Sequence, residues 1–279
     1  MVGIPVQPAL SSDEHLIRKA ADERRRQAIR RIIDNLIVFG VFFGSWEAVV
    51  AAGWIHPFYI SRPSSIAIDL FQLFASGVIF RHLGLTLYET LGGLALGAVF
   101  GVATGFAAAF SRRVADALQP LIVALNSMPR VAIAPLFIIW FGFGPASKIA
   151  LAALVVYFIM FFNTFGGMRS VDPVLKNSIF VMGGSKAVIL WTVSLPFTWA
   201  WVFAAMKTSI SMALIGAVVG EFVGSSSGVG WMMVQASGTL NTTRLFSLMI
   251  VLAFVGAMLF ALLRMVEDHV LRWRPRTDL

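Results

Sequence analysis

The 279 residues contain no cysteine. That excludes a disulfide framework, thiol chemistry and a Cys-ligated metal site. Charge is scarce too. Asp, Glu, Lys and Arg make up 13% of the chain, about half of the roughly 25% usual in soluble domains. No G-x-x-x-x-G-K-[ST] phosphate loop occurs, so this chain is not expected to hydrolyse ATP, and no His-Glu-x-x-His metal motif is present. The four histidines (His15, His56, His82 and His269) fall outside the apolar runs. One short run, Gly224-Ser225-Ser226-Ser227-Gly228, matches G-x-S-x-G. A nucleophile elbow needs a strand-turn-helix setting; here the run follows an apolar stretch and reads as a turn of small residues. We therefore expect no catalytic residues, no metal site and no cofactor held by this chain.

What the chain has in excess is apolar surface. Hydrophobic residues reach 58% and mean hydropathy is +0.83, which calls for a lipid solvent. The net charge of +8 does not point to nucleic acid, because the basic residues sit at the ends of apolar runs rather than along one face. A span needs about 20 apolar residues, and lipid leaves only helices or closed barrels able to satisfy the backbone. Six stretches qualify as helices: 35–54, 85–110, 118–141, 148–165, 197–219 and 245–263. The expected fold is all-α and polytopic. The first thirty residues, with Asp13, Glu14 and Arg24-Arg25-Arg26, are too polar for a cleaved signal peptide, so the first apolar run serves as its own insertion signal.

With six spans both termini share one side. Sixteen of the 22 basic residues fall there, among them Arg18, Lys19, Arg112, Arg113, Arg169, Lys176, Lys186 and Arg264. The other side holds Arg62, Arg81, Lys148 and Arg244. The positive-inside rule then places both termini in the cytoplasm. Residues 1–34 form a basic amphipathic arm, solvated or lying on headgroups. Residues 35–270 form the membrane domain and 271–279 a cytoplasmic tail.

Within the first external loop, Ser64 or Ser65 is placed to cap a short helix whose Ile66, Leu70, Leu73 and Phe74 share a face. The second span carries Gly93, Gly97, Gly101 and Gly105 at i+4 spacing, a stripe for close helix approach, either within one subunit or between two. Pro129 and Pro135 kink the third span. Asn126, Met128 and Arg130 beside them are candidates to line a pathway. Lys207, inside the fifth span, either snorkels or faces that pathway and attracts an anion. Glu221, at the span's external end, is an interfacial carboxylate, a gate, or a contact for an external protein. Glu47 sits in the first span without an assigned role.

The most informative segment is 166–195, on the cytoplasmic side. Asp172 before Pro173 reads as an N-cap with proline in the first turn. A helix follows to Met182, ended by Gly183-Gly184. Ser185 caps a second short helix through Trp191, and Leu195-Pro196 stops it and opens the fifth span. Ile179, Phe180 and Val181 are left exposed, and an exposed apolar helix on this face implies a partner.

This segment is similar to the EAA loop of ABC importer permeases. That loop has a glycine, nine intervening residues, an aliphatic residue, one more residue and then Leu-Pro; Gly183, Val193, Leu195 and Pro196 hold that spacing. Asn177-Ser178-Ile179 stand where the Glu-Ala-Ala triplet would be. Further segments resemble the nitrate/sulfonate/taurine-type branch: Ala132–Phe137 running into Trp140-Phe141-Gly142-Phe143-Gly144, Asn163-Thr164, Val171-Asp172-Pro173, Ala217–Gly224 with Glu221, and Gly228-Val229-Gly230. The resemblance implies a type I (MetI-like) permease fold and a permease subunit in a two-fold pair. It implies two ATPase subunits that bind ATP and Mg, and an external solute-binding protein. Asn177, Ser178, Ile179, Phe180, Gly183, Gly184 and Ser185 would meet the ATPase. It also implies alternating-access import of a small solute, and Lys207 and Arg130 favour an anion such as nitrate, a sulfonate or taurine. Aromatic acids and pyrimidine precursors are the alternative substrates. An ATP-independent transporter or channel is the alternative mechanism, but it would be expected to show repeated halves, and no repeat is evident.

Overall fold

A computed structural model describes residues 10–270 except 57, 112, 114, 115, 118, 119, 121, 122, 125 and 126. Those described are helices and turns and fall into two compact units that divide between residues 65 and 66.

The first unit is dominated by α1, Leu10–Ala51. At about 1.5 Å per residue its 42 residues extend roughly 63 Å. The expected border between a basic arm and a first span near residue 35 is therefore not a break: one helix carries both, and its stretch Ile33–Ala51 is long and apolar enough to cross a membrane. Gly53, at φ +77°, ends the helix with Trp54 N–H donating to Val49 O at 3.2 Å and Gly53 N–H to Val50 O at 3.2 Å, the glycine-terminated motif that closes a helix. Glu47 gains a role. Its carboxylate accepts from Ser64 N–H at 3.0 Å and from Ser64 Oγ at 2.8 Å, in the first turn of α2, Pro63–Ala75. The cap expected from Ser64 or Ser65 thus comes from Glu47, and Pro63 takes the first helical position, where its missing N–H costs nothing.

The second unit contains α3 (Val78–Phe110), a 3₁₀ turn (Arg130–Ile133) leading into α4 (Ala134–Phe141), α5 (Pro145–Arg169), α6 (Pro173–Val181), α7 (Lys186–Ile189), α8 (Leu195–Val223), α9 (Val229–Gly238) and α10 (Thr242–Val270). Including the stretch in α1, five helices among the described residues are long and apolar enough to span a membrane. Four begin or end several residues beyond the expected limits, because polar residues such as Arg81, His82, Arg169 and Glu267 lie inside the helices and depress local hydropathy. The expected third span is broken where it is described. Pro129 is extended (φ −62°, ψ 103°), and Pro135 lies in the first turn of α4 instead of kinking a helix interior. Its missing N–H would have had no intrahelical acceptor there.

The bundle is built on α3, α5 and α8. Ala98, Val156, Met160, Val202, Ala205 and Ala213 form one buried cluster. A second joins α2, α3, α8, α9 and α10 through Leu73, Ile79, Ile210, Val229, Leu248, Val251, Val255 and Leu259. Arg244 of α10 ties to Asp69 of α2, with Nη2 at 2.9 Å from Oδ1. The glycine stripe of α3 lies against α5. A Cβ at Gly93 would fall on Ala152, at Gly97 on Val156, at Gly101 on Met160 and at Gly105 on Thr164. Both helices advance four residues per contact in the same sense, so they run parallel with backbones in touch. Ala152 is also met by α8, where a Cβ at Gly216 would stand 2.8 Å from its Cα. Outward side chains such as Val99, Phe100 and Phe254 stay exposed, as a lipid-facing bundle requires.

Candidate functional site

The 166–195 loop is built as short rigid pieces. Asp172 accepts from Val174 N–H at 2.7 Å and caps α6, with Pro173 at its start. At the other end Met182 N–H donates to Ser178 O at 3.1 Å, Gly183 N–H to Phe180 O at 3.0 Å and Gly184 N–H to Ile179 O at 2.9 Å. Gly183 has φ +85°, a conformation natural only to glycine. Gly184 is needed for space, since a Cβ there would lie 2.5 Å from Ile179 Cγ2. Ser185 Oγ accepts from Val188 N–H at 3.3 Å and caps α7. Asn177 and Ser178 are exposed, as are Phe180 (65%), Val181 (85%), Met182 (84%) and Trp191 (70%). Ile179 is half-buried, because it folds back onto Gly184.

Leu195-Pro196 does not stop the helix. A π turn over Leu190–Ser194, with Leu195 N–H donating to Leu190 O, carries α7 into α8. Widening the turn accommodates a proline that an α-helix interior would resist. Lys186–Val223 is consequently a single run of 38 residues. A groove of about 700 Å³ lies along its early turns, lined by Thr192, Val193, Pro196, Phe197, Ala200, Trp201 and Ala204.

At the opposite end of the bundle lies a buried polar knot. Glu221, 1% exposed, does not face solvent as an interfacial carboxylate. It accepts from Thr86 Oγ1 at 2.6 Å, from Gly230 N–H and from Trp231 N–H. Thr86 Oγ1 accepts from Val229 N–H at 2.9 Å, and His82 Nδ1 from Gly228 N–H at 3.0 Å. His82 also stacks on Trp231, with centroids 5.4 Å apart. All the free N–H groups that open α9 are therefore met by side chains of α3 and α8, and a negative charge at a helix N-terminus is favourable. Gly228 and Gly230 make this possible, because a Cβ on either would collide with the Glu221 carboxylate. Lys148, fully buried in α5, donates to Phe143 O at 2.6 Å, to Gly144 O at 3.3 Å and to Gly224 O, the C-cap of α8. Glu89 of α3, 1% exposed, faces Glu221, and its Oε2 has no partner. Neither Glu89 nor Thr86 is singled out by the sequence, which places Lys148 at the external start of the fourth span. Glu89 carried one usable signal: an ionisable residue deep in an apolar run.

Residues 93–273 match the family model described as binding-protein-dependent transport system inner membrane component. The chain belongs to that family. It is 34% identical over 240 residues to SsuC of Bacillus subtilis (strain 168), whose name assigns it to aliphatic sulfonate transport; the match covers 86% of this chain and 87% of SsuC. It is 32% identical over 228 residues to the riboflavin transport system permease protein RibX of Chloroflexus aurantiacus, with coverage of 82% and 85%. The fold is similar to that of the inward-facing MetNI methionine ABC transporter, at a TM-score of 0.60 and 17% identity over 72% of this chain and 98% of that one. The chain is thus a multi-pass inner-membrane permease of the ABC importer class with a MetI-like helical fold.

Of the expected pathway residues, Lys207 and Glu221 lie on one helix, α8, several turns apart. Asn126 lies outside the described residues. Met128 is exposed, and the Arg130 guanidinium sits 5.3 Å from the centroid of the Phe158 ring. Lys207 is paired: its Nζ lies 2.6 Å from Glu267 Oε2, joining α8 to α10. Reversing one charge, in Lys207→Glu, should lower the permease's melting temperature in detergent. The exchange Lys207→Glu with Glu267→Lys should recover most of that loss. A pair about one-third exposed is worth on the order of 1 kcal/mol or less. A double variant no more stable than the single would show that the pair contributes nothing.

Proposed function

We propose that this permease imports a small organic anion of the sulfonate or taurine kind, as one of two copies in a complex with two ATPase subunits and an external solute-binding protein. Both termini lie in the cytoplasm. ATP and Mg are bound and consumed by the ATPase subunits, and this chain carries no catalytic residue. The 166–195 loop is the coupling element, and Asn177, Ser178, Ile179, Phe180, Gly183, Gly184 and Ser185 form or hold its contact with the ATPase. The reading is carried by one observation: a doubly capped, glycine-broken helix pair that leaves Phe180, Val181, Met182 and Trp191 exposed. Such stiff pieces transmit displacement, and their apolar ends call for a docked partner.

The similarity to SsuC supports a sulfonate. The similarity to RibX supports a second reading, a heterocyclic or aromatic solute. With Lys207 held by Glu267, choice between the two falls to the binding protein. The test is uptake into proteoliposomes containing permease, ATPase and binding protein. Taurine or an alkanesulfonate should accumulate only with internal ATP. Accumulation without ATP would favour a secondary transporter, and ATP-driven accumulation of riboflavin or a pyrimidine alone would favour the second substrate class.

A further inference from the structure

We propose that Glu221 and Lys148 are positioning residues that weld α9 to the far end of the α7–α8 rod, so that α9 travels with the coupling loop as part of one block. The inference rests on the reading of 166–195 as the loop that meets the ATPase.

The rod is continuous. Lys186–Val223 runs without interruption from the loop to the opposite end of the bundle, roughly 57 Å at 1.5 Å per residue. Two residues before its end stands Glu221, and one residue after it Gly224. From these points hydrogen bonds reach α3, α5 and α9. Glu221 takes Thr86 of α3 and the first turn of α9. Lys148 of α5 takes Gly224 O together with Phe143 O and Gly144 O, which join α4 to α5. Three long helices, the α4–α5 turn and α9 therefore meet in one knot.

The Glu221 carboxyl and the Lys148 ammonium are buried and hydrogen-bonded, and breaking a buried, bonded polar group is far more costly than loosening an apolar contact. Gly228 and Gly230 press the backbone of α9 directly on the carboxylate, with no side chain between to act as a cushion. Behind the knot, α3 and α5 lie backbone to backbone along four contacts of the glycine stripe, and Gly220 of α8 presses on Lys148, where a Cβ would meet Cγ at 2.9 Å. Energetic coupling between distant sites needs a physical element that both sites displace. Here that element is a rod whose far end is hydrogen-bonded to the first turn of α9. Opening on the side away from the ATPase then comes from movement of the whole block, and α9 keeps its distance from α3 throughout.

The absence of cysteine gives a clean experiment. Spin labels are placed at Phe80→Cys on α3 and Gln235→Cys on α9, both exposed, in only one of the two permease copies of the complete transporter in nanodiscs. The interlabel distance is measured nucleotide-free and with trapped ATP. A single narrow distance, the same in both states, is expected. Glu221→Ala should broaden it in both states. It should also cut uptake about tenfold, equivalent to roughly 1.4 kcal/mol, while ATP hydrolysis continues. A shift between states in the parent, or a distribution in Glu221→Ala as narrow as the parent's, overturns the weld. If Glu221→Ala does not insert, Thr86→Val removes one bond of the knot and should broaden the distance partially; no broadening there is equally decisive. Loss of ATP-driven uptake by the parent would defeat the proposed function instead, and the nucleotide-free widths would still decide the joint.

Discussion

Gly183→Pro stops ATP-driven uptake while the permease still inserts and assembles. Gly183 holds φ +85°, whereas proline fixes φ near −65° and has no N–H. The substitution therefore reverses the backbone at the end of α6 and removes the bond from Gly183 N–H to Phe180 O. The local cost is roughly 3 kcal/mol or more. The loop avoids it by abandoning the Gly183–Gly184 turn, which displaces Phe180, Val181 and Met182. No bundle helix is touched, so membrane insertion and detergent melting should stay near parental values. Uptake should fall at least about tenfold for each 1.4 kcal/mol of lost coupling, with ATP hydrolysis retained. Gly183→Ala is the graded control. Nothing lies within 4 Å of a Cβ there, so alanine suffers only the left-handed backbone penalty, about 1–2 kcal/mol, and should keep partial uptake. Parental uptake by the proline variant would sink the coupling assignment.

That loop was legible because its signals are local. Asp172-Pro173, Gly183-Gly184 and Ser185 each act on their own turn, and each forms the cap or break its chemistry allows. The spans were legible for an equally simple reason, since lipid tolerates few alternatives to long apolar helices. The differences lie where one local rule met another, or met a distant partner. Pro196 reads as a stop, yet a π turn lets the rod run through it. Ile179 reads as exposed, but Gly184 leaves room for it to fold back. Lys148 reads as an externally placed charge at the start of a span because it begins an apolar run. Its burial depends on carbonyls at Phe143, Gly144 and Gly224, the last of them 76 residues away. Glu221 reads as interfacial because it ends a span, and its true partners, Thr86 and the start of α9, are supplied by two other helices. The Gly228-Val229-Gly230 motif had a visible pattern but no visible cause until the carboxylate beneath it was placed.

The glycine stripe shows how far a spacing can be read and what it withholds. The interval of four announces a close approach, but not the partner helix. With α5 identified, a large stability effect follows. Gly97→Val and Gly101→Val should each sharply lower the melting temperature and the yield of permease from membranes, and the double variant should fail to accumulate. A Cβ at Gly97 would sit 2.5 Å from Ala153 O, and one at Gly101 2.6 Å from Tyr157 O. These neighbours are backbone atoms, so no rotamer change relieves the clash and the two helices must part. Overpacking of a tight contact costs about 1–3 kcal/mol at one site, occasionally more, and parting α3 from α5 loosens the buried cluster of Ala98, Val156 and Met160 as well. The phase of the effect is its signature. Gly92, one residue off the stripe, meets only the flexible side chain of Ile149, at 3.2 Å, so Gly92→Ala should be mild. Gly44 of α1 has no atom within 4 Å of a Cβ, and Gly44→Val should be tolerated. Equal melting temperatures for the on-stripe and off-stripe variants would mean that α3 and α5 are not pressed together, and the parallel pair on which α8 and the knot are built would lose its foundation.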